Sequence, residues 1–501
     1  MQQLKDIDSL SEIEEFTHKD YRILSCFNEL FKCIHTQGLS RMVNACKLKG
    51  FNGFALFQVL FVLPFVDKHN VHQLVRSKIN DRIDCRKDTL YRFLNNPKIP
   101  WRKIHQSFFL QILNLIDRQK NQMDSFTEDS TPKCFILDDT ILPKTGKRIE
   151  KIGKVYDHTK HKHVLGIKAL VSGLWDGKIF LPFSFSLHHE SGKNNMRGLR
   201  KKDLLDQYSK ERSVLSPSLM RYNELGISKI EMAVKMLKSF FRLKTDVRYV
   251  LMDSWFVCEK ILQVVKKQAN SSGSPLDVIG MIKMNRVIQT NGSKRGKKLS
   301  LLANQNSRKK QIKRCKKFNC HYIKFNGTCK GVKATFFLVR MIGQQKWRCI
   351  ISTDQSLSFV KAMEIYSVRW TIEVFFKDAK QHLYFGKCQS NDFDAHIATN
   401  TISCMNYMAL AVKKRFNDYE TIGLLFRKWK NQMLRQTLIQ RIWKLLKNIL
   451  STALAELGVD WVKFLNKIIL ELDLLRKIHT QFRNFFIFDY SLEALNAKCE
   501  T

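Results

Sequence analysis

The sequence predicts an α/β protein: a mixed sheet flanked by helices, with an inserted β segment and helical regions at both ends. Three observations lead to this fold class. Apolar residues recur at the three- and four-residue spacing of helices up to about residue 125, and again from about residue 395 onward. Between these regions, short β-type runs alternate with helix-type stretches. A chain of 501 residues also exceeds one ordinary core and favours several domains.

The N-terminal region, residues 1–125, is predicted to be helical. Its segment 88–101 begins near an acid and ends at a proline, as helices often do. Basic residues lie on or beside that segment: Arg92, Lys98, Arg102 and Lys103. A DNA-binding domain and a plain helical support both fit this pattern. Because the first residues carry several charges and the longest uncharged stretch, 50–66, is shorter than a bilayer span, we expect a cytoplasmic protein without membrane contact.

The central region follows the order βββ-α-β-α-β. The predicted strands are 135–139, 163–175, 178–187, 247–253 and 277–283, and the predicted helices are 228–243 and a stretch that ends near 267. The first strand ends in Asp138 and Asp139, and the fourth ends in Asp253. This layout resembles a ribonuclease-H-like core, in which the last element is expected to be a helix that carries an acid.

The charge balance indicates a polyanionic partner. Lys and Arg total 86 against 45 acids, which gives a net charge of +41 spread over the whole chain. Residues 294–317 alone hold eleven Lys or Arg and no acid. They lie among the β-type runs 321–327, 332–342 and 347–353, which we predict to form an inserted basic β domain. A basic loop over DNA and a merely solvated loop both fit 294–317.

One predicted helix, 366–381, gathers polar residues on one face. Tyr366, Arg369, Glu373 and Lys380 have the spacing Y-x₂-R-x₃-E-x₆-K and share a wedge of about 60°, which Lys377 joins. By spacing alone, an ordinary solvated face with ion pairs is the simpler interpretation. Together with two upstream Asp at strand ends, the pattern favours phosphodiester chemistry, in which carboxylates hold two Mg²⁺ ions and basic residues hold phosphates.

The Y-R-E-K spacing, the dipeptide Asp139-Thr140 and the run 253–255 resemble the DDE-type insertion-sequence transposases of the Y-R-E-K signature group, which are cut-and-paste enzymes with a ribonuclease-H-like core. The resemblance implies three catalytic carboxylates that also bind the metal: Asp139, Asp253 and Glu373. It implies DNA binding by four residues of the motif helix: Tyr366, Arg369, Trp370 and Lys380. Lys377, which shares their face of the helix, is expected to bind DNA as well. Neighbouring strand residues point to opposite faces, so Asp138 is the alternative to Asp139. Trp370 is expected either to stack on a base or to be buried.

The resemblance also implies cofactors, partners and domains. We expect two Mg²⁺ ions as cofactors, which Mn²⁺ can replace. The expected partner is double-stranded DNA, both the inverted repeats of the element and the target. We also expect a homodimer when the DNA ends are bound, and a location at the bacterial nucleoid. The expected domains are 1–125, a helical DNA-binding domain; 126–283, the first part of the catalytic core; 284–355, the basic β insertion; 356–400, the core helix with the motif; and 401–501, a helical domain that could dimerise. Two alternatives stay open: a two-metal nuclease that cuts without joining, and a non-enzymatic DNA-binding protein derived from a mobile element.

Overall fold

The structure, a computed structural model, describes residues 36–46, 49–66, 70–76, 85–122, 132–290, 295–308, 311–416 and 421–431, and residue 458. The chain divides into two units, one of 1–29 with 431–501 and one of 30–430, and the elements named below lie in the second. Most of the predicted helical domain 401–501, which was expected to dimerise, lies outside the described residues. None of the described helices is long and apolar enough to cross a bilayer.

Among the described residues, five α-helices precede the first strand: α1 (Thr36–Asn44), α2 (Gly53–Val62), α3 (Val71–Arg76), α4 (Lys87–Leu94) and α5 (Trp101–Gln122). The side chain of Asn52 caps α2 by accepting hydrogen bonds from the amides of Phe54 and Ala55. Phe57 and Phe61 of α2 are fully buried. The apolar stretch in this part of the sequence is therefore a core helix, as expected from its length.

Further helices between the first strand and residue 416 are α6 (Lys201–Leu205), α7 (Pro217–Asn223), α8 (Lys229–Phe241), α9 (Glu259–Ser272), α10 (Leu299–Arg308), α11 (Phe359–Ser367), α12 (Trp370–His382) and α13 (Phe393–Arg415). The strands are β1 (Cys134–Pro143), β2 (Gly153–Asp157), β3 (Lys162–Trp175), β4 (Phe180–His188), β5 (Tyr249–Met252), β6 (Asp277–Ile282), β7 (Val287–Thr290), β8 (Lys297–Lys298), β9 (Lys313–Cys315), β10 (Cys320–Cys329), β11 (Val332–Met341) and β12 (Arg348–Ser352).

One sheet forms the centre of the described unit. Its strand order is β2-β3-β1-β5-β6-β12-β11-β10-β7-β8, with β4 paired to β3 and β9 paired to β10. Strand β3 pairs antiparallel with both β1 and β4, whereas β1, β5 and β6 are parallel. Helices α5 and α8 pack near β4, and α12 packs against β1 and β4. This mixed α/β architecture fits the expected ribonuclease-H-like core, and the predicted core strands and helices all occur, with β2 in addition.

The inserted strands extend this sheet. Strand β12 pairs antiparallel with β6, from Ser352 opposite Ile279 to Cys349 opposite Ile282. Strands β11 and β10 follow beyond β12. An unpaired edge on β6 would leave backbone N–H and C=O groups without partners, and β12 satisfies them. The insertion that we expected as a β domain of its own is thus continuous with the core sheet.

The motif segment differs from the single helix that was predicted. It forms α11 and α12, which are joined by a tightened turn at Val368 and Arg369. There the Arg369 amide donates to the Tyr366 carbonyl at 3.0 Å, and the Thr371 amide donates to the Val368 carbonyl at 3.0 Å. These bonds span three residues instead of four, which tightens the helix locally. Tyr366 therefore belongs to α11, while Glu373 and Lys380 belong to α12.

Candidate active site

Two acids lie where the pairing of two neighbouring parallel strands, β1 and β5, ends. The register of β1 and β5 runs from Cys134 opposite Tyr249 to Leu137 opposite Met252. Asp138, within β1, and Asp253, directly after β5, are the next residues beyond this paired stretch. Because the two strands are parallel and adjacent up to this point, the two carboxylates come close together.

A single arginine connects the first of these acids to the motif glutamate. Arg369 Nη1 donates to Asp138 Oδ2 at 2.6 Å, and Arg369 Nη2 donates to Glu373 Oε1 at 2.7 Å. Arg369 stands at the start of α12, and Glu373 lies one turn further along it. Hydrogen bonds between charged groups are stronger than neutral ones, so this bridge fixes the start of α12 beside Asp138 of β1.

The acids influence one another electrostatically. Burial raises the pKa of Asp138 from 3.8 to about 7; the charges of Asp253 and Asp139 raise it further, whereas Arg369 opposes the shift. Burial also raises the pKa of Asp253, and the nearby Asp139 acts in the same direction. Such mutual shifts are typical of carboxylates gathered at one site.

Asp253 also organises the loop that follows β5. Its Oδ1 accepts hydrogen bonds from the amides of Trp255 at 2.9 Å and Phe256 at 3.3 Å. An aspartate that binds the backbone two and three residues ahead stabilises a turn. The turn holds the carboxylate at the sheet edge and positions Trp255 beside it.

Asp139 contacts a different helix from Asp138. Its Oδ2 accepts a hydrogen bond from Lys229 Nζ at 2.8 Å, and Lys229 is the first residue of α8. Adjacent residues on a strand point to opposite faces, which explains why the two acids have different partners. The contacts link Glu373 to Asp138, the alternative of the sequence analysis, and they leave Asp139 on the side of α8.

Tyr366 and Lys380 flank the acidic cluster. The Tyr366 side chain is buried, and its Oη has no hydrogen-bond partner among the described residues. Lys380 Nζ donates to Thr140 Oγ1 at 2.6 Å and to the Ile141 carbonyl at 2.9 Å. Burial lowers the pKa of Lys380 to about 8. Lys380 thus binds the strand residues that follow Asp139.

Two other predicted residues of the motif helix lie on the surface. Trp370 is 60% exposed, so it is not the buried aromatic that was one of the two expectations. Lys377 is exposed as well. Both are accessible to a large partner, although neither takes part in the Arg369 bridge.

Sequence reasoning missed Lys229. The residue lies at the start of a correctly predicted helix, capped by Ser228, but no motif marks it. Its pairing with Asp139 joins positions 90 residues apart. The only available signal was a basic residue near a helix start, which is too common to indicate a site.

The carboxylates of this site are the kind of ligand that divalent cations bind. Mg²⁺ prefers carboxylate oxygens, which Asp138, Asp253 and Glu373 supply. In the part of the chain that is described, however, no three His, Cys, Asp or Glu side chains are gathered closely enough to hold a metal ion as they stand. Arg369 is the cation that bridges two of the acids. Metal binding therefore requires these side chains to turn toward a common point.

Comparison with protein-family models gives two matches. Residues 65–305 match the model described as DDE superfamily endonuclease, and residues 227–409 match the model described as Transposase DDE domain. No curated protein matches the chain. The two matched ranges include the sheet edge and the motif helix. They support a DDE transposase, a class whose domains act on DNA and whose nucleases generally use divalent metals.

Proposed function

We propose that this chain is a cut-and-paste DNA transposase of the Y-R-E-K group. It binds the inverted repeats at the ends of its element, cleaves the strand there, and joins the freed 3′-hydroxyl to target DNA. The observation that carries the proposal is the Arg369 bridge between Asp138 and Glu373, beside Asp253. This bridge supports a single site that contains Asp138, Asp253 and Glu373.

The acids are proposed to hold two Mg²⁺ ions, which Mn²⁺ can replace. Bound ions would neutralise negative charge that develops during phosphodiester cleavage. Asp253 and Glu373 are proposed as two of the ligands. Asp139 was the first choice for the third, but the contact of Asp138 with Arg369 supports Asp138, since Asp139 is paired with Lys229.

The chain's own residues are proposed to bind and orient the DNA around the acids. Arg369 can hold a phosphate with two parallel hydrogen bonds, as guanidinium groups do. The buried Tyr366 hydroxyl has a hydrogen bond to offer. Lys380, beside Thr140, supplies a positive charge at the cleavage position. The exposed Trp370 can stack on a base, and Lys377 on the same helix can contact the backbone.

Pairing of two DNA ends by a homodimer and a location at the nucleoid complete the proposal. The homodimer is proposed because two ends must be joined to one target, and the location is proposed because the substrate is DNA. The strong positive charge of the chain supports contact with DNA over several surfaces.

The proposal is tested with the full chain and a plasmid that carries its gene with the flanking DNA. Wild-type protein with Mg²⁺ is expected to cut at the element ends and to join pre-cleaved ends to a second plasmid. Asp253→Asn should bind the ends normally and cut neither strand, because the amide keeps the turn but loses the charge. Undiminished cutting by this variant contradicts the assignment.

The same assay separates the two alternatives. A nuclease of the same fold would cut but give no joined product from pre-cleaved ends. A non-enzymatic DNA-binding protein would bind without nicking in either Mg²⁺ or Mn²⁺.

A further inference from the structure

Trp255 is exposed beside the candidate active site. Its side chain is 48% exposed, although tryptophan is usually well buried. Its backbone amide donates to Asp253 Oδ1 at 2.9 Å, so the residue is held two positions from a proposed catalytic acid. A large aromatic surface left in water at such a point is a candidate for contact with a ligand.

Two lysines lie over this tryptophan. The Nζ atoms of Lys229 and Lys283 are each 5.0 Å from the centre of the Trp255 ring. Lys229 also binds Asp139, which neutralises it in part. Lys283 follows β6 and adds positive charge on the other neighbouring strand. An exposed aromatic ring with adjacent cations is the combination that binds a base together with its phosphate.

Lys283 also lines a cavity. Its volume is about 980 Å³, and it lies between the start of α9, the end of β6 and the β10–β11 turn. The lining holds four basic side chains and one acidic one: Lys260, Lys283, Arg286, Lys330 and Glu259. This excess of positive charge favours an anionic occupant, and the volume is sufficient for a nucleotide.

We infer that Trp255 and Lys283 form a binding site for an unpaired nucleotide of a DNA strand that passes Asp253. The base stacks on Trp255, its phosphate pairs with Lys283, and the strand continues into the basic cavity. This site is separate from the predicted DNA-binding residues of the motif helix. It rests on the proposed function only in taking the strand to be the one that is cut beside Asp253.

A purely structural role for Trp255 would give a different pattern. Cation–π contact with two lysines stabilises a surface tryptophan modestly and needs no ligand. In that case the ring would contribute to folding but not to binding of DNA. The measurement must therefore separate base stacking from fold stability and from general attraction by charge.

The probes are a labelled twelve-nucleotide oligothymidylate and an abasic oligonucleotide of the same length, bound to the full chain without divalent metal and followed by fluorescence anisotropy. Trp255→Ala is expected to weaken oligothymidylate binding about tenfold, the loss typical of one base stacked on an aromatic ring. Trp255→Phe should retain most of the affinity. With the abasic strand, the alanine and phenylalanine variants should bind equally well.

The matched control is Trp347→Ala, since Trp347 also carries a cation over its ring, with Arg340 Cζ at 4.8 Å from the ring centre. It should bind both probes like the wild type. Lys283→Gln should reduce the slope of log affinity against log salt by about 0.7, as expected for one phosphate contact to a single strand. Thermal unfolding of each variant checks that the fold is intact.

Three results would overturn the inference: wild-type affinity in Trp255→Ala, an equal loss in Trp347→Ala, or an equal dependence on Trp255 for the abasic strand. Failure of the proposed function is distinguishable from all of them. If the wild type neither cuts nor joins, but oligothymidylate binding still depends on Trp255, the transposase proposal fails and the nucleotide site stands. If cutting and joining occur while Trp255→Ala binds normally, only the site is refuted.

Discussion

Replacement of Asp138 by asparagine is the sharpest test of the site, because Asp139→Asn is its matched control. Both variants replace a carboxylate by an amide of the same shape on the same strand. Asp138 binds the arginine that also binds Glu373, whereas Asp139 binds Lys229. If the contacts identify the third metal ligand, only Asp138→Asn should abolish cleavage.

The expected magnitudes follow from these contacts. Loss of a group that merely supports a metal ligand costs about 10- to 100-fold in affinity or activity, so loss of a ligand should exceed about 100-fold. Asp139→Asn removes a partly exposed ion pair, and such pairs contribute about 1 kcal/mol or less. Its cleavage rate should therefore fall by less than about tenfold.

Stability should change in the opposite direction from activity. The pKa of Asp138 is raised from 3.8 to about 7 in the fold, chiefly by burial. The stability that the protonated carboxyl contributes is complete below pH 3.8 and is lost as pH rises through 7. Asparagine does not ionise, so Asp138→Asn should be more stable than the wild type at pH 8, by at most about 4 kcal/mol. The gain should vanish near pH 4.

The assays are plasmid cleavage with Mg²⁺ or Mn²⁺, calorimetric titration of Mn²⁺, and urea unfolding at pH 8 and pH 4. The reasoning is refuted if Asp139→Asn is inactive while Asp138→Asn cuts normally. In that case Asp139 is the ligand, as the sequence resemblance implied, and the Arg369 bridge to Asp138 has only a structural role.

Two further predictions concern the fold. Glu150→Gln should lower the free energy of unfolding by about 3 kcal/mol, because the Arg212 side chain is only 2% exposed and donates to Glu150 at 2.7 and 2.8 Å. Urea unfolding measures this change. The surface variant Glu364→Gln is the control and should change the free energy of unfolding very little. Burial lowers the pKa of His105 to about 4 and of His396 to about 3. Their depressed pKa values contribute stability above pH 6.5 that is lost as pH falls toward 3, so the urea midpoint should decline over that window, and a flat profile would contradict it.

The core of the fold could be predicted because its signals are local. Period-two runs such as the one that forms β4 and the helix-period segment that forms α8 depend only on neighbouring residues. The acids at strand ends could be found for the same reason. That Asp253 lies close to Asp138 is explained by the parallel pairing of β1 and β5, which ends just before these two acids.

The missed features depend on contacts between distant parts of the chain. Nothing near β12 in the sequence indicates that it pairs with β6 and continues the core sheet. The choice between Asp138 and Asp139 depends on which face of β1 the motif helix covers, and periodicity does not reveal that face. Similarly, the tightened turn at Arg369 has no proline or glycine to mark it.

Arg369 takes part both in a local contact that the sequence spacing predicts and in a contact between distant parts of the chain that it does not. Its spacing from Glu373 is a property of the helix, whereas its contact with Asp138 spans 231 residues. Buried carboxylates need a nearby cation, and Arg369 supplies it in the fold described here. A divalent cation among the same acids would take over that role and leave the guanidinium able to pair with a phosphate. Under the proposed function, Arg369 would thus connect the charge balance of the acids with the binding of DNA.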